Sequence, residues 1–246
     1  MKVSIVTVCY NSEKTIKDTL ESIKNQSYDN IEYIVIDGGS KDNTNNIIEQ
    51  YRDTITTFVS EPDNGLYDAM NKGISLATGD IIGTLNSDDV LFDRNVIKYI
   101  VDNFEGVDGI YADVGFYDVE LQNKKRHYSS KGFNKQKFSR GFMPAHPSLY
   151  VKKSVYDAVG DYSLEYKIAS DFDMLIRIFN LPNSYYKYLP KELVKMRVGG
   201  VSTSGISSNI LLNKEIINSC HSNGLKCTWF SILSKYPEKL IGMFKK

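Results

Sequence analysis

The chain opens on VSIVTVC at 3–9, a run in which only Ser4 and Thr7 are polar and five of seven residues are β-branched. Such a run predicts a strand covered on both faces. Asn11 and Ser12 then offer N-caps to a helix whose Ile16, Leu20 and Ile23 recur at helical spacing. A second strand is predicted at IEYIVID (31–37), and GGSKDNT after it is a turn rich in cap residues. A short helix around Ile47, Ile48 and Tyr51 follows, then a third strand near 57–61. PDNG (62–65) breaks the chain, and Met70, Ile74 and Ala77 mark a helix closed by Gly79 as C-cap. DIIGTL (80–85) is the fourth strand, Val96, Ile97, Ile100, Val101 and Phe104 stripe the next helix, and GIYADVGFY (109–117) is the fifth strand. This alternation predicts a doubly wound α/β layout with mostly parallel strands.

Beyond residue 117 the rhythm changes. Residues 118–145 are polar, basic and aromatic. A strand at 148–151 leads to a helix at 153–159, and a further helix carries Met174, Leu175, Ile178 and Phe179. SYYKYLP (184–190) returns to strand, and two helical stretches, roughly 207–223 and 229–245, close the chain. There is no internal repeat and no low-complexity linker, which predicts one domain with a C-terminal extension.

Composition adds mainly exclusions. Lys+Arg and Asp+Glu both number 30 in 246 residues, so global charge makes no case for nucleic acid as a partner. No segment nears the ~20 apolar residues a spanning helix needs, and the N-terminal apolar run is too short for a signal peptide. Three cysteines, Cys9, Cys220 and Cys227, lack metal-ligand spacing and read as reduced thiols of a cytoplasmic protein.

The chemistry lies where strands end. Asp37 closes the second strand, and LNSDD sets Asp88 and Asp89 just past the fourth. Ligands of open α/β sheets bind at the carboxyl ends of strands. Adjacent carboxylates repel and resist burial, and a divalent cation removes both costs. Mg2+ uses one or two protein carboxylates and completes its shell with water and phosphate oxygens, so a nucleotide diphosphate is its natural companion. Each piece has a plainer reading. Asp88–Asp89 alone is an Asx turn, PDNG a turn, and DGGSKDNT lacks the sixth-position Gly and closing Glu of a calcium loop. Their conjunction at matching strand ends favours a site.

Residues 3 to about 92, from VSIVTVCYNSEKT through IVIDGGSKDNT and EPDNGLYDAMNKG to LNSDDVL, resemble family-2 glycosyltransferases of the GT-A fold. The resemblance resumes at HPSLYVKKSVYDAVGDYSLEYKIASDFDMLIRI (146–178) and fades in the last sixty or so residues. It implies a Rossmann-like, mixed and mostly parallel central sheet flanked by helices, with residues 1–117 as the nucleotide-sugar half. Residues 118–205 become the acceptor and catalytic-base half, and 206–246 a helical extension.

The resemblance also implies roles. Val8 and Tyr10 would pack on a uridine-type base, Asp37 would hydrogen-bond it, and Asp63 would lie near base and ribose. Asp88 and Asp89 match the Asp-x-Asp region that contacts ribose or sugar and Mg2+ or Mn2+. Asn86 departs from the commoner Asp-Ser-Asp-Asp, which leaves the metal on Asp89 and Asp88. In SDFDML, Ser170 replaces the family's Glu and Asp171 falls on the base that deprotonates the acceptor hydroxyl; the plainer reading is a helix cap. His146 would sit near the acceptor, and Arg197 with Gly199–Gly200 near phosphate or sugar. Lys124, Lys125 and Arg126 read as a solvated basic run, and Tyr128, Phe133 and Phe138 as sugar-stacking or local core.

The implied activity is inverting, metal-dependent transfer from a nucleotide-sugar, UDP-type, donor to a saccharide or lipid-linked acceptor. The implied setting is bacterial surface polysaccharide, such as capsule, O-antigen or a colanic-acid-like polymer. The C-terminal FSILSKYPEKLIGMFKK suits either peripheral contact with the inner face of a membrane or a plain packing helix. Two alternatives stay open: a sugar nucleotidyltransferase, although CYNSEKT is no Gly-rich phosphate loop, and a non-catalytic sugar-nucleotide-binding protein.

Overall fold

The computed structural model describes residues 1–199 and 205–234. Among them, β1 (Val3–Cys9), β2 (Ile31–Asp37), β3 (Thr57–Ser60) and β4 (Ile81–Thr84) form a parallel run ordered β3-β2-β1-β4. Every residue of β1 is buried, as its unbroken apolar run demands. Its side chains alternate between two cores. Val6 and Val8 join Ile34, Ile36 and Met70 on one face, while Val3, Ile5 and Cys9 join Tyr33, Val35 and Ile97 on the other.

The second half of the sheet is mixed. β6 (Gly109–Tyr117) lies parallel to β9 (Tyr186–Arg197), and β8 (Tyr150–Lys152) runs antiparallel to both β4 and β6. β7 (Lys124–Tyr128) pairs antiparallel with the far half of β6, and β5 (Val90–Leu91) pairs antiparallel with β9. Helices α1 (Ile16–Lys24), α2 (Thr44–Glu49) and α4 (Val96–Asp102) cover one face. The other is covered by α3 (Leu66–Leu76), α5 (Lys153–Val159), α6 (Ser170–Asn180), α7 (Gly205–Ser222) and α8 (Trp229–Leu233).

Several local expectations change. Asn11 and Ser12 cap no helix: α1 starts at Ile16 after Thr15, which makes no side-chain cap bond. Asn11 instead adopts φ +49 and accepts from the Lys41 N–H at 2.8 Å, because it ties the loop after β1 to the loop after β2. The helix α3 is capped by Ala77, leaving the Gly79 N–H to donate to Ser4 Oγ at 2.9 Å. β9 runs seven residues past Pro190, and residues 118–145 contain β7 and a 3-10 helix, Lys135–Arg140. Gly200 and residues 235–246, on which the glycine-pair and tail expectations partly rest, lie outside the described residues. Among the described residues no helix is long and apolar enough to cross a membrane, and all three cysteines are free and buried.

Candidate active site

The carboxyl ends of β1 to β4 share one rim because these four strands run parallel. Asp37, the last residue of β2, is fully buried there. Its carboxylate accepts from Ser60 Oγ at 2.6 Å, from the Ser40 N–H at 3.0 Å and from the Gly39 N–H at 3.2 Å, with the Ser40 hydroxyl as a further donor. Burial pushes this carboxyl up, but the Ser40 and Ser60 donors outweigh it and hold it below the usual range. Asp63 leans over the same strand end: its Oδ2 would fall 2.4 Å from a Cβ on Gly38, so the glycine leaves the room this carboxylate occupies. Tyr10 stands at the rim, 61% exposed, whereas Val8 is buried in the core among Ile36 and Met70.

The acid pair follows β4 in a tight turn, in which the Asp89 N–H donates to the Asn86 carbonyl at 3.1 Å. Asn86 Nδ2 donates to Asp89 Oδ2 at 3.3 Å, which an aspartate at position 86 could not do. Thr19 Oγ1 donates to the Asp89 carbonyl at 2.7 Å, and Ser12 Oγ lies 2.9 Å from Ser87 Oγ, tying this turn to α1 and to the loop after β1. Asp89 is 2% exposed and Asp88 half-buried. Burial raises both carboxyls, and burial first, with repulsion from Asp88 added, takes Asp89 well above the usual range. Arg197 lowers both only in part. Its Nη1 donates to the Asp88 carbonyl at 2.6 Å, its Nε to the Val119 carbonyl at 2.8 Å, and its Nη2 to the Asp18 carboxylate.

The donor set therefore fits a hard divalent cation. Two neighbouring carboxylate groups remain undercompensated, which oxygen-preferring Mg2+ or Mn2+ would correct. Among the described residues no cluster of three or more His, Cys, Asp or Glu could hold a metal, so the remaining positions would fall to water and to a ligand's oxygens.

On the second side, Asp171 occupies the first turn of α6 and is partly buried. Burial first, and then the charge of Glu215, push its carboxyl up to about 6, against the Phe172 N–H that donates to Oδ1 at 2.7 Å. Its charge in turn reaches the phenols of Tyr67, Tyr128 and Tyr162. Asp173 is turned away, accepting from Arg177 Nε at 2.9 Å, Ser219 Oγ at 3.0 Å and Asn223 Nδ2 at 2.8 Å.

His146 and Arg197 are not presented at the rim. His146 is 6% exposed, its Nε2 lies 2.7 Å from the Tyr162 hydroxyl, and burial lowers its pKa to about 4, so it is neutral. Arg197 is 8% exposed and turned inward on the contacts above. Phe133 and Phe138 belong to an aromatic core, edge-on at 5.0 Å, with Phe138 in turn edge-on to Phe172. The basic run is anchored: Lys124 Nζ meets Glu192 Oε2 at 2.7 Å, and the Arg126 guanidinium lies 4.1 Å above the Phe116 ring. Ser40, Ser60, Tyr67, Tyr162 and Glu215 escaped sequence reading. Ser40 sat in a recognisable turn and Ser60 at the end of a predicted strand; the others carried no local signal.

A mixed α/β sheet flanked by helices, with acids at the carboxyl ends of its parallel strands and a further carboxylate in the first turn of α6, is the GT-A layout. The chain belongs to glycosyl transferase family 2, whose profile it matches over residues 4–159. It is therefore a glycosyltransferase, which sets the nucleotidyltransferase and non-catalytic alternatives aside. It is 26% identical over 220 residues to a PGL/p-HBAD biosynthesis glycosyltransferase of Mycobacterium bovis (strain BCG / Pasteur 1173P2), covering 87% of this chain and 82% of that one. Among solved structures, S. aureus TarS 1-349 in complex with UDP-GlcNAc matches with TM-score 0.67 at 19% identity, over 89% of this chain and 67% of that one. The chain spans 40% of the longer TarS chain. A mannosyltransferase of Pyrobaculum calidifontis in complex with GDP-Man and Mn2+ matches with TM-score 0.64 at 14% identity, over 99% of this chain and 81% of that one.

Proposed function

We propose that this protein is an inverting, metal-dependent transferase moving a sugar from a nucleotide-sugar, UDP-type, donor to a hydroxyl of a saccharide or lipid-linked acceptor. The observation that carries this reading is the Asp88–Asp89 turn after β4, with Asp89 buried, on the same sheet rim as Asp37 and one strand away from it. Asp37, with Asp63 and Tyr10, holds the nucleoside, while buried Val8 anchors the end of β1 in the core. Asp89 and Asp88 hold Mg2+ or Mn2+, which when bound neutralises charge on the diphosphate. Asp171 takes the acceptor hydroxyl proton as its oxygen bonds to the anomeric carbon. The bond from that carbon to the nucleotide diphosphate breaks, and the diphosphate leaves with the electron pair. His146 and Arg197 serve the site indirectly, one through Tyr162 and the other through the Asp88 backbone.

The setting we propose is bacterial surface-polysaccharide synthesis on the cytoplasmic side of the membrane. Exposed Trp229, Phe230 and Leu233 on α8, followed in sequence by Lys235, Lys239, Lys245 and Lys246, support a peripheral contact there. A panel of nucleotide sugars, UDP-GlcNAc and GDP-Man included, tests the donor reading by thermal shift and by nucleotide release with Mn2+. At least one nucleotide sugar should raise the melting temperature, and by more in the presence of the metal than without it. Stabilisation by none, with or without Mn2+, would contradict the reading.

A further inference from the structure

α6 begins without a side-chain cap of its own. Ala169 stands at its N-cap position and has no polar atom to offer the free N–H groups there. A carboxylate from a distant helix instead holds the backbone that leads into it. Glu215 of α7, only 6% exposed, accepts from the Lys167 N–H at 3.0 Å on Oε1, and from the Ile168 and Ala169 N–H groups at 2.9 and 3.0 Å on Oε2. These are the three backbone donors immediately preceding Ser170 and Asp171. A charged acceptor at a helix N-terminus is favoured by the helix dipole, and bonds to a carboxylate are stronger than neutral ones. The Tyr67 hydroxyl fixes the same segment from α3 by donating to the Ile168 carbonyl at 2.6 Å. One turn further, Ser219 of α7 and Asn223 just past its end donate to Asp173, so this segment grips α6 on both sides of Asp171.

We propose that Glu215 is a positioning residue for the Asp171 base, so that α7, outside the 4–159 family match, completes the acceptor half of the active site. The inference rests on the reading of Asp171 as base. The carboxylate acts in two ways, holding the backbone that carries Asp171 and adding negative charge to its surroundings. The other titratable groups whose interaction with Asp171 is resolved are Tyr67 on α3, Tyr128 on β7 and Tyr162 before α6, all neutral at working pH.

Glu215→Gln separates these effects from general stability. Glutamine retains one acceptor oxygen and turns an NH2 toward an N–H, whichever way it faces. With the full chain, the Asp171 carboxyl titrated by NMR should shift to lower pH in Glu215→Gln and stay near its wild-type midpoint in Glu215→Asp, which keeps the charge. Both variants should lower kcat by about ten- to a hundredfold, as expected for a base displaced by a fraction of an ångström to an ångström, with nucleotide affinity for UDP and Mn2+ unchanged. A wild-type titration and wild-type kcat in Glu215→Gln, with Asp171→Asn inactive, would overturn the role of Glu215 alone. Full transfer by Asp171→Asn would overturn it together with the base assignment. Loss of UDP binding in both Glu215 variants would reduce Glu215 to a folding role.

Discussion

Arg197 Nη1 and the Asp88 carbonyl oxygen meet at 2.6 Å, joining the last residue of β9 to the acid turn 109 positions earlier. The same guanidinium holds Val119 and Asp18, so its planar fork locks three separate segments under the acids. Arg197→Lys keeps the charge and loses the fork. It should cost about 2 kcal/mol in urea unfolding, because two partly buried carbonyls lose a charged donor, and should weaken binding of UDP with Mn2+. A variant as stable and as tight as wild type would show that the clamp does not hold the turn.

The metal reading predicts a dependence that can be measured without an acceptor. UDP with Mn2+ should raise the melting temperature of wild type more than UDP alone does. In Asp88→Asn and Asp89→Asn the metal's contribution should disappear, while stabilisation by UDP alone persists through Asp37. If chelation leaves wild-type UDP affinity unchanged, the acid pair has another purpose.

A third prediction concerns pH and stability at the opposite end of the sheet. Burial raises the Glu32 carboxyl, but Lys2 Nζ at 2.6 Å, Ser4 Oγ at 2.5 Å and Thr78 outweigh it and hold the pKa at about 2. A carboxylate depressed on folding stabilises above its unfolded pKa, and that stability is lost as pH falls through the folded one. Allowing for a partly exposed Lys2, Glu32→Gln should cost about 2 kcal/mol at pH 7. The difference from wild type should shrink between pH 4.5 and about 2. A constant difference across that window would show that the contacts do not depend on the charge.

These outcomes separate what local sequence carries from what it does not. β1 and β2 were legible because continuous apolar runs can only be covered strands, and α1 because Ile16, Leu20 and Ile23 share one face. Asp37, Asp88 and Asp89 were legible as candidates because an acid just past such a run must lie on the rim. β5 was not, since two residues, Val90 and Leu91, have no period of their own and owe their strand to pairing with β9. β9 itself continues past Pro190 through Lys191 and Glu192, where Glu192 is satisfied by Tyr117 and Lys124 from other strands. The support of the site was illegible for the same reason. Glu215 reaches Lys167–Ala169 from 46 to 48 positions away, and Tyr162 meets His146 only once the chain has folded.

The most direct test of the account is the pH profile of transfer by wild type beside Asp171→Asn, using the donor that the nucleotide-sugar panel identifies. Wild-type kcat should fall as pH drops through about 6, where the Asp171 carboxyl takes up its proton and can no longer accept one from the acceptor hydroxyl. Asp171→Asn should bind UDP and Mn2+ as wild type does and lose about a hundredfold or more of kcat at every pH above that limb. An asparagine variant that transfers sugar at a rate near wild type, with the same acid limb, would contradict the account.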